Sequence, residues 1–394
     1  MKKKIFFFTT NRADFGLQLN ILKKFAKSKK FETTLIVTGS HFSSKFGSTY
    51  KEVFRLLPKN IKKIKVDVKN IEKSSYAEIL KEFIIKMNKI FISNKIDLVF
   101  LVGDRFEILP VALQSLFKNI PLIHLHGGEL TYGAIDDAIR FNISKIAKLH
   151  FVTSEKYKKR LIQIGENPKN IVVSGSPILE DIYKVVEKNF SKLIQSTNYY
   201  IKKPYIISTY HPETKNPKDN LKNLRLMIKS LSKLKSYKVI FTYPNFDEGN
   251  FLIIKHLKKI IDNKRFFLFK SLGVRKYLSF LSHSNLVVGN SSSGIIEAAS
   301  FKKPVLNLGV RQSGREKSKN IIDCKFNEKQ IDKCLKYLIS KENNRKLKNI
   351  KNIYYKKNSS QIIINQCAKL KIDKNDKKFY DLIFNNSTKF KIAE

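Results

Sequence analysis

The sequence predicts an α/β protein made of two doubly wound parallel sheets in tandem. Short apolar runs of strand length alternate with stretches of helical periodicity, which is the rhythm of βαβ units. This rhythm weakens near residues 176–204 and then starts again. We therefore expect an N-terminal Rossmann-like domain over residues 1–178, and a C-terminal Rossmann-like domain over residues 179–394 that ends in a Lys-rich helical part.

The first series of elements supports the N-terminal domain. Its apolar runs are short and end in turn residues, so they predict buried strands, whereas longer stretches with apolar residues at helical spacing predict helices. The predicted strands cover residues 4–8, 32–37, 98–102, 122–124, 150–152 and 171–173. The predicted helices cover residues 17–28, 76–92 and 108–117.

The second series follows a polar stretch, residues 184–203, that predicts a helix and a linker. Its strands are predicted at residues 205–208, 239–242, 266–269, 286–288 and 305–308, and its helices at 221–234, 251–261, 274–283 and 294–301. Residues 328–370 predict Lys-rich helices, and residues 373–394 show no clear periodicity.

The charge of the chain is compatible with several function classes. The 394 residues are 42% apolar, enough for sizeable cores, and carry a formal net charge of +44. Such a charge fits nucleic acid, an anionic membrane or an acidic ligand. The excess is mostly lysine spread evenly along the chain, which is typical of solvated faces. The charge alone therefore predicts a solvated surface.

We expect a soluble, cytoplasmic chain without a metal site. Residues 1–4 resemble the start of a signal peptide, but the apolar run 5–8 is too short for one. No run reaches the roughly 20 apolar residues of a membrane span. The cysteines, Cys324, Cys334 and Cys367, form no metal-ligand spacing and predict reduced thiols.

The turns after the strands are the candidate sites, because ligands of parallel sheets bind at the carboxyl ends of the strands. No G-x-G-x-x-G follows a strand, so nicotinamide and flavin cofactors lack their usual phosphate-binding turn. Two facing domains without that turn fit a glycosyltransferase-B-like architecture, with the ligand in the cleft between the domains.

Two acidic turns follow neighbouring predicted strands. Asp104 and Arg105 come directly after the first of these strands, and the second turn begins with His-x-His-Gly-Gly-Glu and continues to Asp136 and Asp137. These residues fit a salt-bridged surface pair and an acidic helix cap. They also fit a proton-transfer site, because crowded like charges raise a carboxyl pKa toward neutral pH.

A Gly-Asn-Ser-Ser-Ser-Gly turn contains Asn290, Ser291 and Ser292 and precedes a predicted helix. Small residues and a helix N-terminus predict phosphate binding, although serine and asparagine also cap ordinary helices. The glycine-punctuated loop after the next strand holds Arg311 and Arg315. Because an arginine fork binds diphosphate with two hydrogen bonds, this loop favours the phosphate interpretation.

Three further turns contribute candidates. His211 and Asn245 end consecutive strands of the second series, where they fit either structural turns or contacts to a ligand. Arg12, Asp14 and Gly16 follow the first strand of the chain. They fit a strand-to-helix turn with an aspartate cap, or an anion contact from Arg12 with a polar contact from Asp14.

Taken in order, these motifs resemble the hydrolysing UDP-N-acetylglucosamine 2-epimerases. The motifs are Thr-x-x-Arg-Ala-Asp-Phe-Gly, Gly-Asp-Arg-Phe-Glu, His-x-His-Gly-Gly-Glu, Ile-Asp-Asp-Ala-Ile-Arg, His-Pro-Glu-Thr, Gly-Asn-Ser-Ser-Ser-Gly and Gly-x-Arg-Gln-x-Gly-Arg-Glu. They run from about residue 4 to residue 316. Each motif alone is weak, whereas the ordered set is specific.

The resemblance implies a two-domain glycosyltransferase-B fold that releases a free 2-epimerised sugar and a nucleoside diphosphate, by elimination to a glycal and addition of water. It implies a nucleotide-sugar substrate, no cofactor, and a homo-oligomer that is a dimer or a tetramer. The implied catalytic residues are Asp104, Asp136, Glu129, His126 and His211. The implied substrate-binding residues are Arg12, Asp14, Arg105, Asp137, Arg140, Asn245, Asn290, Ser291, Ser292, Glu297 and Arg311, with Glu297 on the ribose.

The chain departs from part of the family in one turn. His126 stands where part of the family has a glutamate, and the spacing from Glu129 to Asp136 is longer. The chain therefore resembles the branch of the family with this turn and this spacing. That branch includes enzymes of legionaminic acid synthesis, whose substrates are 2,4-diacetamido-6-deoxy sugars linked to UDP or GDP. Whether His126 or Glu129 takes the catalytic role stays open at the level of sequence, as does a simple UDP-N-acetylglucosamine substrate for sialic acid synthesis.

Three alternatives compete with this interpretation. A non-hydrolysing 2-epimerase is expected to have a turn closer to His-Val-Glu-Ala-Gly-Leu-Arg. A glycosyltransferase can use the same fold, because fold does not decide function. A nucleic-acid binder needs basic and aromatic residues clustered on one face, whereas the lysines here are diffuse.

Overall fold

The computed structural model describes residues 2–68, 75–372 and 377–382, which form two β-sheets flanked by helices. Part of the segment 373–394, predicted to lack periodicity, lies outside the described residues. The first sheet contains β1 (Lys3–Thr9), β2 (Phe31–Thr38), β3 (Lys62–Val66), β4 (Leu98–Val102), β5 (Leu122–Leu125), β6 (Leu149–Val152) and β7 (Ile171–Val173). The second sheet contains β8 (Tyr205–Thr209), β9 (Lys238–Thr242), β10 (Phe266–Phe269), β11 (Leu286–Gly289), β12 (Val305–Leu308) and β13 (Ile321–Cys324).

The two sheets share one topology. The first has the order β3-β2-β1-β4-β5-β6-β7 and the second the order β10-β9-β8-β11-β12-β13, with parallel neighbours throughout. In each sheet the winding reverses between the first and the fourth strand, so β1 lies beside β4 and β8 lies beside β11. Open α/β sheets bind ligands at this switch point. The predicted fold class is confirmed.

Two edge strands were absent from the sequence prediction. β3 reads Lys-Lys-Ile-Lys-Val, and β13 reads Ile-Ile-Asp-Cys. Among the described residues, β3 pairs only with β2 and β13 only with β12. Edge strands are partly solvated and carry charged residues that discourage further pairing. A search for buried apolar runs therefore passes over them, whereas the central strand β1 is buried from Ile5 to Thr9.

The helices follow the predicted alternation, with corrected boundaries. α1 begins at Arg12 rather than at residue 17, because Asn11 and Asp14 form a reciprocal capping box. The predicted helix 294–301 ends at Ile296, and the stretch 184–203 contains the end of one short helix, Ile182–Val185, and the whole of another, Phe190–Gln195. The helices are α1 (Arg12–Lys27), α2 (Tyr50–Leu56), α3 (Tyr76–Ser93), α4 (Leu109–Phe117), α5 (Asp136–Ile146), α6 (Glu155–Gln163), α7 (Ile182–Val185), α8 (Phe190–Gln195), α9 (Asn220–Lys233), α10 (Asn250–Ile260), α11 (Gly273–His283), α12 (Ser292–Ile296), α13 (Glu328–Leu338), α14 (Lys341–Leu347) and α15 (Ser359–Lys369).

Within the part of the chain that the structure describes, the backbone crosses between the two sheets twice. After the second sheet is complete, α15 returns to pack against α1, and its residues Ile363, Ile364 and Cys367 join the core beneath the first sheet. The Lys-rich tail of the sequence is thus partly a component of the first half. Among the described residues, no helix combines the length and the apolar character needed to cross a membrane.

Candidate active site

The turn after β1 is held by Asp14. Its carboxylate accepts hydrogen bonds from the backbone N–H groups of Thr10 and Asn11, at 2.9 and 3.2 Å, and from the hydroxyls of Thr9 and Thr10. Burial raises the pKa of Asp14 to about 6, although these hydrogen bonds act against the shift. Asp14 therefore shapes the turn that presents Arg12 to the cleft.

The turn after β4 places Asp104 on a buried arginine. Arg140 is completely buried and donates to Asp104, to Asp137 at 2.8 Å, and to the backbone oxygen of Glu129 at 2.6 Å. Asp137 also accepts from the backbone N–H of Thr131 at 2.6 Å. Asp137 and Arg140 thus tie the two acidic turns together from behind.

Asp104 and Asp136 form a carboxylate pair with opposite pKa shifts. Burial alone would raise the pKa of Asp104, but the charges of Arg140 and Arg315 lower it. Burial and the charge of Asp104 raise the pKa of Asp136 to about 7. One carboxylate is therefore held ionised beside another that exchanges its proton near neutral pH, which is the pattern of an acid–base site.

The turn after β5 contains a buried Glu129–His126 pair. His126 Nδ1 lies 2.7 Å from Glu129 Oε1, and Arg315 Nη2 lies 2.8 Å from Glu129 Oε2. Burial would raise the pKa of Glu129, but the charges of Arg315 and His126 lower it to about 2. His126 adopts a φ of 69°, a left-handed conformation that costs a non-glycine residue roughly 1 kcal/mol, and such outliers cluster at functional sites.

The turns after β8 and β11 interlock through Asn290. Its side chain accepts from the backbone N–H of His211 at 2.7 Å and donates to the backbone oxygen of His211 at 2.8 Å. The backbone N–H of Asn245 donates to His211 Nδ1 at 3.0 Å, so a neutral His211 carries its proton on Nε2. Burial and the charge of Arg311 hold the pKa of His211 well below its ordinary value.

The serine-rich turn begins α12. Gly289 has a φ of 136°, and a Cβ there would collide with the backbone oxygen of Thr209, so only glycine fits between the two strand ends. Ser291 is the N-cap residue, and its hydroxyl accepts from the backbone N–H of Ser293 at 3.3 Å. Burial raises the pKa of Glu297, at the far end of this helix, to about 7.

Glu213 positions the loop of Arg311. Its Oε1 accepts from the backbone N–H groups of Val310 and Arg311, at 2.8 and 3.2 Å. The same loop contacts Asn290, whose backbone oxygen accepts from Gln312 at 3.0 Å. The loop therefore packs against the turns after β8 and β11.

The cleft between the sheets contains two adjoining cavities. The serine-side cavity includes Arg12, His211, Tyr277, Ser291 and Glu297 in its walls. The acid-side cavity is bounded by both acidic turns and by the arginine loop. Residues of the acid-side wall include Asp104, Arg105, His126, Asp136, Arg311, Gln312 and Arg315. Both cavities share Ala13, Leu17, Asn245 and Ser292.

Charged residues bridge the two halves across this cleft. Arg12 donates to the backbone oxygens of Lys270, at 2.6 Å, and Tyr243. Arg105 pairs with Glu107 at 3.1 Å and with Asp247 of the second half. Their guanidinium groups therefore join the two halves in addition to lining the cavities.

A protein-family profile decides the classification. The UDP-N-acetylglucosamine 2-epimerase family matches residues 23–368, which is most of the chain. The chain belongs to this family. Membership agrees with the resemblance carried by the ordered motifs of the sequence.

Related 2-epimerases align over most of the chain. A Campylobacter jejuni protein named GDP/UDP-N,N'-diacetylbacillosamine 2-epimerase (hydrolyzing) is 39% identical over 346 residues, covering 86% of this chain and 88% of the relative. A Legionella pneumophila protein named UDP-N,N'-diacetylbacillosamine 2-epimerase (hydrolyzing) is 34% identical and covers 82% and 85%. The polysialic acid biosynthesis protein P7 of Escherichia coli is 32% identical and covers 96% and 98%.

Solved epimerase structures share the fold. UDP-N-acetylglucosamine 2-epimerase from Neisseria meningitidis, bound to UDP-N-acetylglucosamine, aligns with a TM-score of 0.77 at 19% identity, over 94% of this chain and all of that one. The Methanocaldococcus jannaschii enzyme aligns with a TM-score of 0.76 at 19% identity, over 94% and 100%. At this identity the likeness concerns the architecture alone.

Sequence reasoning missed three cleft residues of this 2-epimerase. Arg315 was noticed in its loop but not assigned a site, although it pairs with Glu129 from the other half of the molecule. Asp247 and Tyr277 were not assigned either. Asp247 follows β9 in a Pro-Asn-Phe-Asp-Glu-Gly turn, so its place at a strand end was a usable signal. Tyr277 lies within α11, where no motif marks it.

Proposed function

We propose that this chain is a hydrolysing 2-epimerase of nucleotide-linked N-acetylamino sugars. In the first step the C2–H electrons form a C1=C2 bond, the C1–O bond breaks, and the nucleoside diphosphate leaves with that electron pair. In the second step water adds its oxygen to C1, and C2 takes a proton on the opposite face. The net products are the free 2-epimer and a nucleoside diphosphate.

The observation that carries the proposal is the Asp104–Asp136 pair. The C2 proton becomes acidic only as positive charge grows at C1, so the site needs a base of near-neutral pKa and a fixed negative charge. Asp136, with a pKa of about 7, suits removal of the C2 proton. Asp104, held ionised by Arg140, suits stabilisation of the charge at C1.

His126 is our candidate for returning the proton. It lines the acid-side cavity, whereas Glu129 is completely buried behind it. With Nδ1 paired to Glu129, the other ring nitrogen, Nε2, is 3.3 Å from the hydroxyl of Ser176. We therefore assign proton transfer to His126 and positioning to Glu129. This assignment selects between the two residues that the sequence left open.

The second half supplies the binding site for the leaving group. We place the diphosphate against Ser291, Ser292 and the start of α12, with His211 Nε2–H and Arg311 as further donors. These donors face the point where negative charge develops as the C1–O bond breaks. Glu297, in the serine-side cavity, is our candidate for the ribose hydroxyls.

Several residues predicted to bind substrate are better explained as supports. The carboxylates of Asp14 and Asp137 accept hydrogen bonds from backbone turns. The guanidinium of Arg140 donates to Asp104. Arg105 is engaged by Glu107 and Asp247. We propose that these four residues orient the acidic turns and the domain interface.

The product suggests a place in metabolism. A free 2-epimerised amino sugar is a substrate for condensation to a nonulosonic acid of the sialic or legionaminic type, and we propose this use. The free cysteines agree with a reducing compartment such as the cytoplasm. A homo-oligomeric state stays a prediction, which size-exclusion chromatography with light scattering tests.

Product analysis in D₂O tests the reaction. The enzyme is incubated with a UDP-linked 2-acetamido sugar and no acceptor, and the products are followed by NMR. We expect one free sugar per UDP, inverted at C2 and deuterated there. A product that stays linked to UDP would indicate a non-hydrolysing epimerase, and turnover only with an added acceptor would indicate a transferase.

A further inference from the structure

A buried glutamine lies between the acidic turns and the serine-rich turn. Gln312 belongs to the arginine loop after β12, lines the acid-side cavity and is only 1% exposed. Its amide nitrogen donates to the backbone oxygen of Asn290 at 3.0 Å, and its amide oxygen accepts from Arg315 Nη1 at 3.0 Å. Because both the nitrogen and the oxygen of the amide are engaged by the protein, Gln312 is better suited to hold its neighbours than to bind substrate.

The amide oxygen of Gln312 fixes Arg315 beside the acidic turns. Nη1 of Arg315 donates to Gln312, and Nη2 lies 2.8 Å from Glu129 Oε2. Its Nε has no hydrogen-bond partner among the described residues, so the orientation of the guanidinium depends on the other two nitrogens. Glu129 in turn lies 2.7 Å from His126 Nδ1. The position of Arg315 therefore bears on the residue assigned to proton transfer.

The amide nitrogen of Gln312 fixes the turn after β11. The backbone oxygen of Asn290 accepts from Gln312 and, at 3.4 Å, from Arg311 Nη1. The side chain of Asn290 binds the backbone of His211 at 2.7 and 2.8 Å. Asn290 is completely buried and directly precedes Ser291, at the proposed site of the diphosphate. Gln312 therefore contacts the turn that would hold the leaving group.

We infer that Gln312 is a positioning residue that holds Arg315 against Glu129 and links this pair to the turn of the leaving diphosphate. Since Glu129 orients His126, displacement of Arg315 disturbs return of the proton in the second step and affects elimination less. A buried polar network specifies one arrangement only while all its members are satisfied. The inference rests on the proposed function and adds a residue on which its second step depends.

Two substitutions of Gln312 test its two contacts separately. Gln312→Met has a similar size and neither contact, whereas Gln312→Glu keeps the acceptor for Arg315 and loses the donor to Asn290. Quenched reactions with a UDP-linked 2-acetamido sugar are analysed by mass spectrometry for glycal and free sugar, and calorimetric titration measures UDP affinity. The share of glycal among the products reports the second step, and a general loss of stability does not raise it.

Gln312→Met is expected to affect both contacts. Formation of free sugar should fall about 10- to 100-fold while glycal accumulates, because Arg315 loses a charge-assisted hydrogen bond. UDP affinity should fall about 2- to 10-fold, because the turn of Asn290 loses a neutral hydrogen bond. Gln312→Glu is expected to lower UDP affinity without accumulation of glycal.

Gln18→Met is the matched control. Gln18 is also completely buried and donates to a backbone oxygen, that of Phe8, at 3.0 Å. It lines neither the serine-side nor the acid-side cavity. We therefore expect Gln18→Met to lower the free energy of unfolding without changing the share of glycal. Thermal unfolding compares the stability of the three variants.

The outcomes are distinct. Accumulation of glycal in Gln312→Met alone supports the inference, and so does a loss of UDP affinity without glycal in Gln312→Glu. An unchanged share of glycal in Gln312→Met, or equal accumulation in Gln312→Glu or Gln18→Met, overturns it. If Gln312→Met does not fold, accumulation of glycal in Gln312→Glu still overturns it. If the wild-type enzyme releases no free sugar, the proposed function fails, and the inference fails with it.

Discussion

The turns after β4 and β11 occupy equivalent positions in the two sheets, yet they carry opposite chemistry. Each fourth strand lies beside the first strand of its sheet and leads into a glycine with positive φ, Gly103 or Gly289. Gly103 is followed by Asp104, which pairs with the buried Arg140. Gly289 is followed by Asn290, which binds the backbone of His211 through neutral hydrogen bonds.

This difference shows what the shared topology decides and what it leaves to the side chains. The switch point decides where a ligand lies, and the side chains decide what happens to it. The turn after β4 places the ionised Asp104 beside Asp136 at the start of α5, whose pKa is raised, and this arrangement suits exchange of a proton. The other offers neutral donors around a histidine that burial and Arg311 keep uncharged, which suits binding of an anion without proton exchange.

Asp104→Asn is expected to have the largest effect on the comparison, because it removes the fixed charge of the acidic turn. Loss of that charge weakens stabilisation at C1 and lowers the pKa of Asp136, making it a weaker base. We expect release of nucleoside diphosphate to fall about 10³- to 10⁴-fold. Coupled-assay kinetics measure the loss, and circular dichroism with UDP titration checks that fold and binding survive. Near-normal turnover would contradict the assignment.

The second prediction separates His126 from Glu129. If His126 returns the proton, His126→Gln still permits elimination, so the glycal should accumulate while free sugar formation drops about 10²- to 10³-fold. Glu129→Gln keeps a hydrogen-bond acceptor for His126 but removes its charge, so we expect a smaller loss and a shifted pH–rate profile.

Mass spectrometry of quenched reactions measures the glycal in both variants. Thermal unfolding checks the stability of the Glu129→Gln variant, because that change leaves Arg315 without its buried charged partner. Glycal accumulation in Glu129→Gln but not in His126→Gln would reverse the assignment of the two roles.

The third prediction concerns the anion-binding half. Arg311→Ala removes a charged donor, and we expect UDP affinity to fall about 10- to 100-fold with a smaller change in kcat. Ser292→Ala removes a neutral hydroxyl and should cost about 2- to 10-fold. Calorimetric titration with UDP measures both. Equal losses of UDP affinity in the two variants would show that the charge of Arg311 contributes no more to binding than a neutral hydroxyl does.

The sequence predicted best those elements that are indicated by their own residues. Buried apolar runs such as β4 and β11, and the turns that follow them, were predicted from a single stretch of chain. The edge strands β3 and β13 were not, because their residues are chosen for partial solvation. The packing of α15 against the first half was also not predicted, because the periodicity of a helix does not indicate which element it packs against.

Site residues follow the same rule. Asp104 and Asp136 stand at strand ends or helix starts, where position alone makes them candidates. The pairing of Arg315 with Glu129 joins residues from different halves of the molecule, and nothing local marks it. The choice between His126 and Glu129 likewise depends on which side chain is buried behind the other, which only the packing reveals.

The smallest expected effect is on stability, and it tests the pKa of Asp136 without any substrate. Burial and Asp104 raise this pKa to about 7, whereas an unfolded chain has an ordinary value of about 3.9. Between about pH 4 and 7 the folded Asp136 therefore holds a proton that the unfolded chain releases, so the contribution of Asp136 to the free energy of unfolding falls as pH rises. Asp136→Asn lacks this contribution.

We expect the free energy of unfolding of Asp136→Asn to increase by roughly 1–2 kcal/mol relative to that of the wild type when the pH rises from 4 to 8. The effect has this modest size because the side chain is only half-buried. Other carboxyls with raised pKa, such as Glu297, titrate alike in both proteins and cancel in the difference. Urea unfolding at several pH values measures the difference. If the free energies of unfolding of the two proteins change with pH in parallel, Asp136 titrates as an ordinary aspartate. The Asp104–Asp136 pair would then lack the raised pKa that distinguishes it from a structural salt-bridge cluster.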